Sequence, residues 1–341
     1  MRPMHEPVRS ALITTPSPEE GAELRHSGLT AAGRAALAVA QDFARHSASP
    51  ATLRAYKADW AHYTAWCDAT GFTPLPAEPA AVGAYLASLA KSHAPTSIRR
   101  RLAAIGKAHR FVDLPWNPGH RAIQEPLQGA LRKLRRPVVK AAAVRLDTLK
   151  RLLATCDDSK TGRRDRAVLL VGFAGALRRS ELVGLLAEDV TPTTFGLQIT
   201  IRHSKTDQQG QGTSIGLAHG EFAETCPVRA LKAWQAVAKR PAGPLFRKVE
   251  ADGRISDRAL RPDAVRQILA RRAEIAGIEA SAAGRLSPHG LRSGFITEAH
   301  HLGVREAEIQ RHVRHRDPRT TRGYIELLEL VSDTPAGKIG L

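Results

Sequence analysis

Three short stretches in the C-terminal half of the chain hold side chains that could act on an anionic group. Arg178 lies in Gly-Ala-Leu-Arg-Arg-Ser-Glu-Leu. There one helix should end near Gly175 and another begin with Ser180 as its cap, and such a corner turns side chains outward. Ser287-Pro288-His289-Gly290-Leu291-Arg292 opens a further helix. It sets His289 and Arg292 one turn apart on one face, so imidazole and guanidinium can meet a single anion. His315 and Tyr324 flank Asp317-Pro318, a helix break that lets both turn toward one point. Singly these signals are weak, because an arginine at a corner usually faces solvent and Tyr324 alone reads as a buried tyrosine of a terminal helix. Together they supply a phenol, two imidazoles and two guanidiniums, groups that could gather about one anion. His300, His301, His312 and His315 lack the carboxylate spacing of a zinc site, and Cys226, ahead of Pro227, reads as a helix-start residue.

The elements that must position these residues read as mostly helical. Helices are expected at Asp147–Cys156, Arg163–Leu186 with its break near Gly175, Pro227–Ala238, Arg261–Ala276, His289–Leu302, Arg305–Val313 and Thr320–Val331. Phe195–Arg202 and Thr213–Leu217 read as a β-hairpin with a loose, Gly-containing tip at Asp207–Gly212. Upstream, Ser49 can cap a helix with Pro50 in its first turn, followed by Leu53, Tyr56, Trp60 and Tyr63 at steps of three and four. Pro79–Ser92 repeats the pattern with Val82, Tyr85, Leu86 and Leu89, and Thr96–His109 with Ile98, Leu102 and Ile105. A fourth stripe is Ile123, Leu127, Leu131 and Leu134. Four such helices make a bundle of about 90 residues. Tyr56, Trp60, Tyr63 and Trp66 recur at helical spacing and read as core rather than as an exposed platform. Residues 1–28 read as an aperiodic arm, with a short Ala-rich helix expected at Thr30–His46.

Composition narrows the function classes. The 341 residues are 43% hydrophobic, enough for packed cores, and carry 51 Lys+Arg against 33 Asp+Glu, a formal charge of +18. Three widely spaced cysteines exclude a disulfide framework and a thiolate zinc site. No run of about 18 apolar residues is present and the opening lacks a signal-peptide core, so a cytoplasmic protein with no membrane association is expected. Residues 48–140 hold fourteen basic and five acidic side chains, which points to a polyanionic partner. Arg99, Arg100, Arg101, Lys107 and Arg110 on the third helix, and Arg132, Lys133, Arg135 and Arg136 ending the fourth, are the candidate phosphate contacts. The competing reading of such runs is a solvated helix face.

In order along the chain, Arg178 in Leu-Arg-Arg-Ser-Glu-Leu, Lys205 in Ser-Lys-Thr-Asp, His289-x-x-Arg292, His315, and Tyr324 in Thr-Thr-Arg-Gly-Tyr-Ile resemble the tyrosine recombinase, or phage integrase, family. The stretch Cys226-Pro227-Val228-Arg229-Ala230-Leu231 is also similar to a recurrent family segment, and the resemblance spans about residues 48–331. One departure is Arg314, where the family pattern has Gly before the His. The resemblance implies a mainly α fold with a small β-sheet, made of an N-terminal helical core-binding bundle and an α+β catalytic domain. The expected division is an arm at 1–47, a DNA-binding bundle at 48–136, a linker at 137–143, a catalytic domain at 144–331 and a tail at 332–341.

The resemblance further implies that Tyr324 attacks a scissile phosphate and forms a 3′-phosphotyrosyl link, leaving a free 5′-hydroxyl. Bond energy is conserved in that link, so no cofactor is implied. Arg178, Arg292 and His315 would stabilise the pentacoordinate transition state, each donor contributing on the order of 3 kcal/mol. A free phenol has a pKa of about 10, so Tyr324 needs a base or hydrogen-bond partner, for which His289 is nearest. Lys205 would protonate the leaving oxygen, and Glu181 would orient the arginines. The implied partners are double-stranded DNA and further copies of the chain, two per site and four in synapsis. Two alternatives stay open: a type IB topoisomerase-like relaxing enzyme, and a DNA-binding accessory protein without catalysis. The apolar stripe Leu327, Leu328, Leu330 and Val331 after Tyr324 could pack on its own domain or on a neighbouring protomer.

Overall fold

The computed structural model describes residues 49–133, 142–202, 204, 212–279 and 286–332, with side chains to 325, and isolated positions from 30 to 39. Most of the expected linker, the arm before residue 30, Lys205 and the tail from 333 lie outside the described residues. The chain separates into two compact units, Met1–Pro137 and Val138–Leu341.

The first unit is built from helices α1 (Pro50–Thr70), α2 (Pro79–Ser88, extended by a 3₁₀ turn at Leu89–Lys91), α3 (Pro95–Phe111) and α4 (Arg121–Lys133). The first three begin on proline, whose missing N–H costs nothing where no intrahelical acceptor exists. Ser49 caps α1, its Oγ accepting from Thr52 N at 3.2 Å, and Gly71 ends the helix in the left-handed region. Trp60, Tyr63 and Cys67 of α1 pack with Tyr85 and Leu86 of α2, Ile98 and Ile105 of α3, and Ile123 and Leu127 of α4. The apolar stripe of α1 starts at Trp60, whereas Leu53 is exposed.

Arg101 departs from its expected role as a phosphate contact, because it is buried. Its Nη1 donates to Tyr85 Oη at 2.7 Å and its Nη2 lies 2.9 Å from His93 Nε2. Burial and the Arg101 charge keep the His93 pKa below its usual value, so the neutral ring can accept that bond. Arg100 is half committed, its Nε and Nη2 donating to the buried Asp59 at 2.6 and 3.0 Å. A carboxylate shut away from water in α1 needs these cations, and no local sequence signal announces it.

The second unit begins with α5 (Leu146–Ala154), α6 (Lys160–Ala174) and α7 (Arg179–Gly184), then strands β1 (Val190–Thr193), β2 (Gly196–Ile201) and β3 (Thr213–Ala218). It continues through α8 (Pro227–Ala238), the hairpin β4 (Arg247–Val249) and β5 (Ile255–Ala259), and α9 (Pro262–Ile275). It closes with α10 (Pro288–His301), α11 (Glu306–Val313) and α12 (Pro318–Ser332). The β2–β3 hairpin pairs from Gly196↔Ala218 to Ile201↔Thr213. β1 adds an edge strand, as suits its Pro192. Neither β1 nor β4–β5 has the alternation that marks a strand, which is why only the central hairpin was legible. Helix α6 is apolar on nearly every side between Ala167 and Gly172, and it packs against α8 and α10 at the centre of the core.

Residues 142–145 lie along α10. Ala142 bridges Leu286 in parallel, Val144 N donates to Gly290 O at 2.8 Å, and Glu298 Oε1 accepts from Leu146 N at 2.9 Å and Arg145 Nε at 2.5 Å. Approach this close requires Gly290 and Gly294, where a Cβ would stand 2.4 Å from Ala142 O and 2.0 Å from Val144 O. Gly294→Ala should therefore lower the unfolding free energy by about 1–3 kcal/mol through overpacking. Gly129→Ala, in α4 with open space around its Cβ, should instead raise it by about 0.5–1 kcal/mol through helix propensity. Urea unfolding of both variants checks the opposite signs.

Candidate active site

Four chain breaks deliver the reactive side chains. After α6 the chain turns through Gly175 and Ala176, the latter at φ 44°, and straightens at Arg178. Ser180 is not the cap of α7; the carboxylate of Glu181 caps it, Oε2 accepting from Arg178 N at 2.9 Å. At the start of α10, Ser287 Oγ accepts from Gly290 N and Pro288 fills the first turn, which sets His289 and Arg292 on their shared face. Helix α11 ends on Arg314 in the left-handed region, presenting His315. Asp317 then starts α12, its Oδ1 accepting from Arg319 N at 2.9 Å, and Tyr324 follows on the second turn.

These breaks converge. His289 Nε2 lies 2.6 Å from Tyr324 Oη, and the His315 ring stacks on Tyr324 at 6.1 Å and 13°. His315 Nδ1 lies 2.8 Å from the hydroxyl of the fully buried Thr321, one turn before Tyr324. Arg292, 2% exposed, donates from Nη1 to Ala176 O at 2.6 Å and from Nη2 to Val313 O. Those bonds engage two of its N–H groups and leave the others for an incoming anion. Arg178 Nη1 donates to Glu181 Oε1 at 2.7 Å and to Ser204 Oγ at 3.0 Å. Arg314 Nη2 reaches Glu181 Oε2 at 3.1 Å. Two guanidiniums thus pair with one carboxylate, with the Arg292 charge within its field, an arrangement short of negative charge.

The electrostatics follow from that surplus. Burial, then Arg292 and Arg178, hold His289 below its usual pKa. Burial, then Arg292, Arg178, Arg314 and His289, push His315 down to about 4. Both rings are neutral near pH 7, so each can accept one hydrogen bond and donate another. Burial pushes the Tyr324 phenol up, with Arg292 and Arg178 opposing. Arg292 is pushed down to about 10, chiefly by burial, and stays charged at neutral pH. Burial by itself would raise the Glu181 carboxyl, but hydrogen bonds from Arg178 and the Arg314 charge outweigh it and hold the group below its ordinary value.

Of the residues expected from sequence, Arg178, Glu181, His289, Arg292, His315 and Tyr324 come together here. Arg314, Ser204, Thr321 and the Ala176 carbonyl were not anticipated as members. Thr321 was legible in principle, three residues before Tyr324 on the same helix face, and Ser204 adjoins the Ser-Lys motif. In the first unit, Arg99, Lys107 and Arg110 are exposed at steps of eight and three along α3, which contains no acidic residue, and Arg132 and Lys133 are exposed at the end of α4.

Comparison with known proteins gives the family of the chain. The phage integrase family pattern matches residues 143–329. An integrase/recombinase xerD homolog from Selenomonas ruminantium is 32% identical over 292 residues, covering 84% of this chain and 85% of that protein. Among solved structures, a lambda integrase dimer bound to a core site aligns with a TM-score of 0.58 at 14% identity, covering 88% of this chain and 95% of that one. A lambda integrase tetramer bound to a Holliday junction gives 0.56 at 13% identity, covering 83% and 74%. Family match and fold define a DNA recombination enzyme of mainly α architecture. The chain belongs to the phage integrase family, and its activity is site-specific recombination as a tyrosine recombinase. Among the described residues no helix is long and apolar enough to cross a membrane.

The neutral imidazoles have a measurable consequence. The folded-state pKa of His315 lies below its unfolded value of about 6.5, so the unfolded chain takes up the proton first. Its contribution to stability is present in full above pH 6.5 and is lost as pH falls toward 4. His289 and His312 are shifted in the same direction. Urea unfolding should show stability dropping across this window, less steeply in His315→Gln, and NMR should find the His315 ring titrating near pH 4. Equal slopes in the two proteins would contradict the burial of a neutral ring.

Proposed function

We propose that Tyr324 is the nucleophile of strand exchange and that Arg178, Arg292 and His315 hold the scissile phosphate before it. The observation that carries this reading is the 2.6 Å hydrogen bond between His289 and Tyr324, formed where the charges of Arg178, Arg292 and Arg314 outnumber the single carboxylate of Glu181. Tyr324 Oη forms a bond to phosphorus while the bond from phosphorus to the 5′-oxygen breaks. The phenol proton passes to His289 Nε2, which is neutral and within reach. The arginines and the His315 N–H stabilise charge that grows on the nonbridging oxygens, each donor worth on the order of 3 kcal/mol. Lys205 gives a proton to the departing 5′-oxygen. Its role comes from the resemblance, supported by its chain neighbour Ser204, which bonds both Arg178 and Glu181. Attack of a 5′-hydroxyl from the partner strand reverses the steps and joins the new ends.

Residues 48–136 act as the core-binding domain, 137–143 as its linker and 144–331 as the catalytic domain. Arg99, Lys107, Arg110, Arg132 and Lys133 contact the phosphates of duplex DNA, with Arg100 contributing through its exposed edge. Two copies occupy each site and four form the synapsed assembly, a reading supported by the dimeric and tetrameric lambda integrase complexes. The reaction takes place in the cytoplasm.

Tyr324→Phe should abolish the covalent adduct with a nicked suicide DNA, read on a denaturing gel, and leave DNA affinity nearly unchanged, since only one oxygen is lost. An adduct from that variant would remove Tyr324 from its role. Lys205→Ala should slow cleavage far more than binding, and a 5′-bridging phosphorothiolate, whose thiolate leaves without a proton, should restore much of the rate. Equal impairment on both substrates would exclude Lys205 as the acid.

A further inference from the structure

Arg314 occupies a position where glycine would be expected on conformational grounds. Its φ of 59° and ψ of 45° lie in the left-handed region, which disfavours any residue with a Cβ. The side chain is 8% exposed. Its Nη1 donates to His312 O at 2.9 Å and Gly175 O at 3.2 Å, and its Nη2 to Ala176 O at 3.2 Å and Glu181 Oε2 at 3.1 Å. A buried guanidinium needs such acceptors, and the last two belong to the corner that carries Arg178.

Those two partners are the acceptors that orient the phosphate-binding arginines. Glu181 Oε1 takes Arg178 Nη1 at 2.7 Å and Ser204 Oγ at 2.8 Å, while Oε2 takes Arg178 N and Arg314 Nη2. With both oxygens engaged from different sides, the carboxylate plane cannot rotate away from Arg178. The Ala176 carbonyl is likewise shared, by Arg292 Nη1 at 2.6 Å and Arg314 Nη2. Arg314 is therefore the one side chain bonded to the orienting acceptors of both Arg178 and Arg292 among the described residues.

We propose that Arg314 is a positioning residue for DNA cleavage: it holds the Glu181 carboxylate and the Ala176 carbonyl so that Arg178 and Arg292 both point at the scissile phosphate. The proposal rests on the site assignment made above. The Arg314 charge also acts on His315, which is faced in addition by Arg292, Arg178 and His289 and by the hydroxyl of Thr321.

The test compares Arg314→Gly and Arg314→Lys with the unaltered protein, measuring half-site DNA affinity by band shift and single-turnover adduct formation on suicide DNA across pH. Glycine suits the left-handed position, so Arg314→Gly should fold and bind a half-site within a few-fold of the unaltered protein. Its cleavage rate should fall by about 100-fold, the scale of losses when reactive groups are misplaced by about an ångström. The acidic limb of its pH–rate profile should move upward, because one cation beside His315 is gone. Arg314→Lys should recover part of the rate and keep the acidic limb in place. Undiminished cleavage by Arg314→Gly would overturn the proposal, as would a parallel loss of affinity and cleavage in both variants. Absence of an adduct from the unaltered protein would instead overturn the underlying site assignment.

Discussion

The carboxylate of Glu181, 2% exposed, is the interaction on which the rest of this site depends. It starts α7 by accepting the Arg178 N–H, fixes the Arg178 guanidinium, ties down the chain after β2 through Ser204, and meets Arg314 from the end of α11. Three separate parts of the second unit are thereby referred to one group. A buried charge with its partners removed costs about 3–5 kcal/mol, so this carboxylate is ionised and paired or the corner does not form. Its single negative charge is still too little for Arg178, Arg292 and Arg314. The surplus is what a phosphate would neutralise, and it is tolerated because backbone carbonyls at Gly175, Ala176, His312 and Val313 supply the remaining acceptors.

Around that hub the fold controls where α10 can sit. The helix bearing His289 and Arg292 is pinned on one side by residues 142–145 against Gly290 and Gly294, and by Glu298 holding the start of α5. Its other contacts are with α6, α9, α11 and α12, so His289 and Arg292 are carried by a packed helix and not by a loop. Precision of this kind matters because phosphoryl chemistry by a phenol gains little from any one donor unless several aim at the same oxygens.

Each unit puts its charges to a different use. In the second, burial and neighbouring cations keep His289 and His315 neutral, and His289 Nε2 lies within hydrogen-bond reach of Tyr324 Oη. In the first, the basic residues divide by exposure: Arg101 and part of Arg100 serve the buried Asp59, while Arg99, Lys107 and Arg110 remain on the surface. Positive charge serves folding where it meets an internal acid and is open to a polyanion where it does not.

Much of this protein was legible in its residues taken in order. Prolines at 50, 79, 227 and 288, the Ser49 and Ser287 caps, and apolar residues at steps of three and four mark most helices, because these signals are local and act within one turn. The motifs around Arg178, His289, Arg292, His315 and Tyr324 name the residues that the fold brings together, and the Asp317-Pro318 break foretells the return of Tyr324 toward His315. Tertiary structure alone decided what depends on partners far along the chain. It buried Arg101 against a tyrosine of α2 and a histidine of the turn before α3, left Leu53 outside the core, and made strands of β1 and β4–β5, which have no alternating pattern. It also turned Arg314, which interrupts the family pattern, into a partner of Glu181, 133 residues earlier. Side-chain pairing over such distances is set by which surfaces the core brings together, and a residue's type and immediate neighbours contain no record of that.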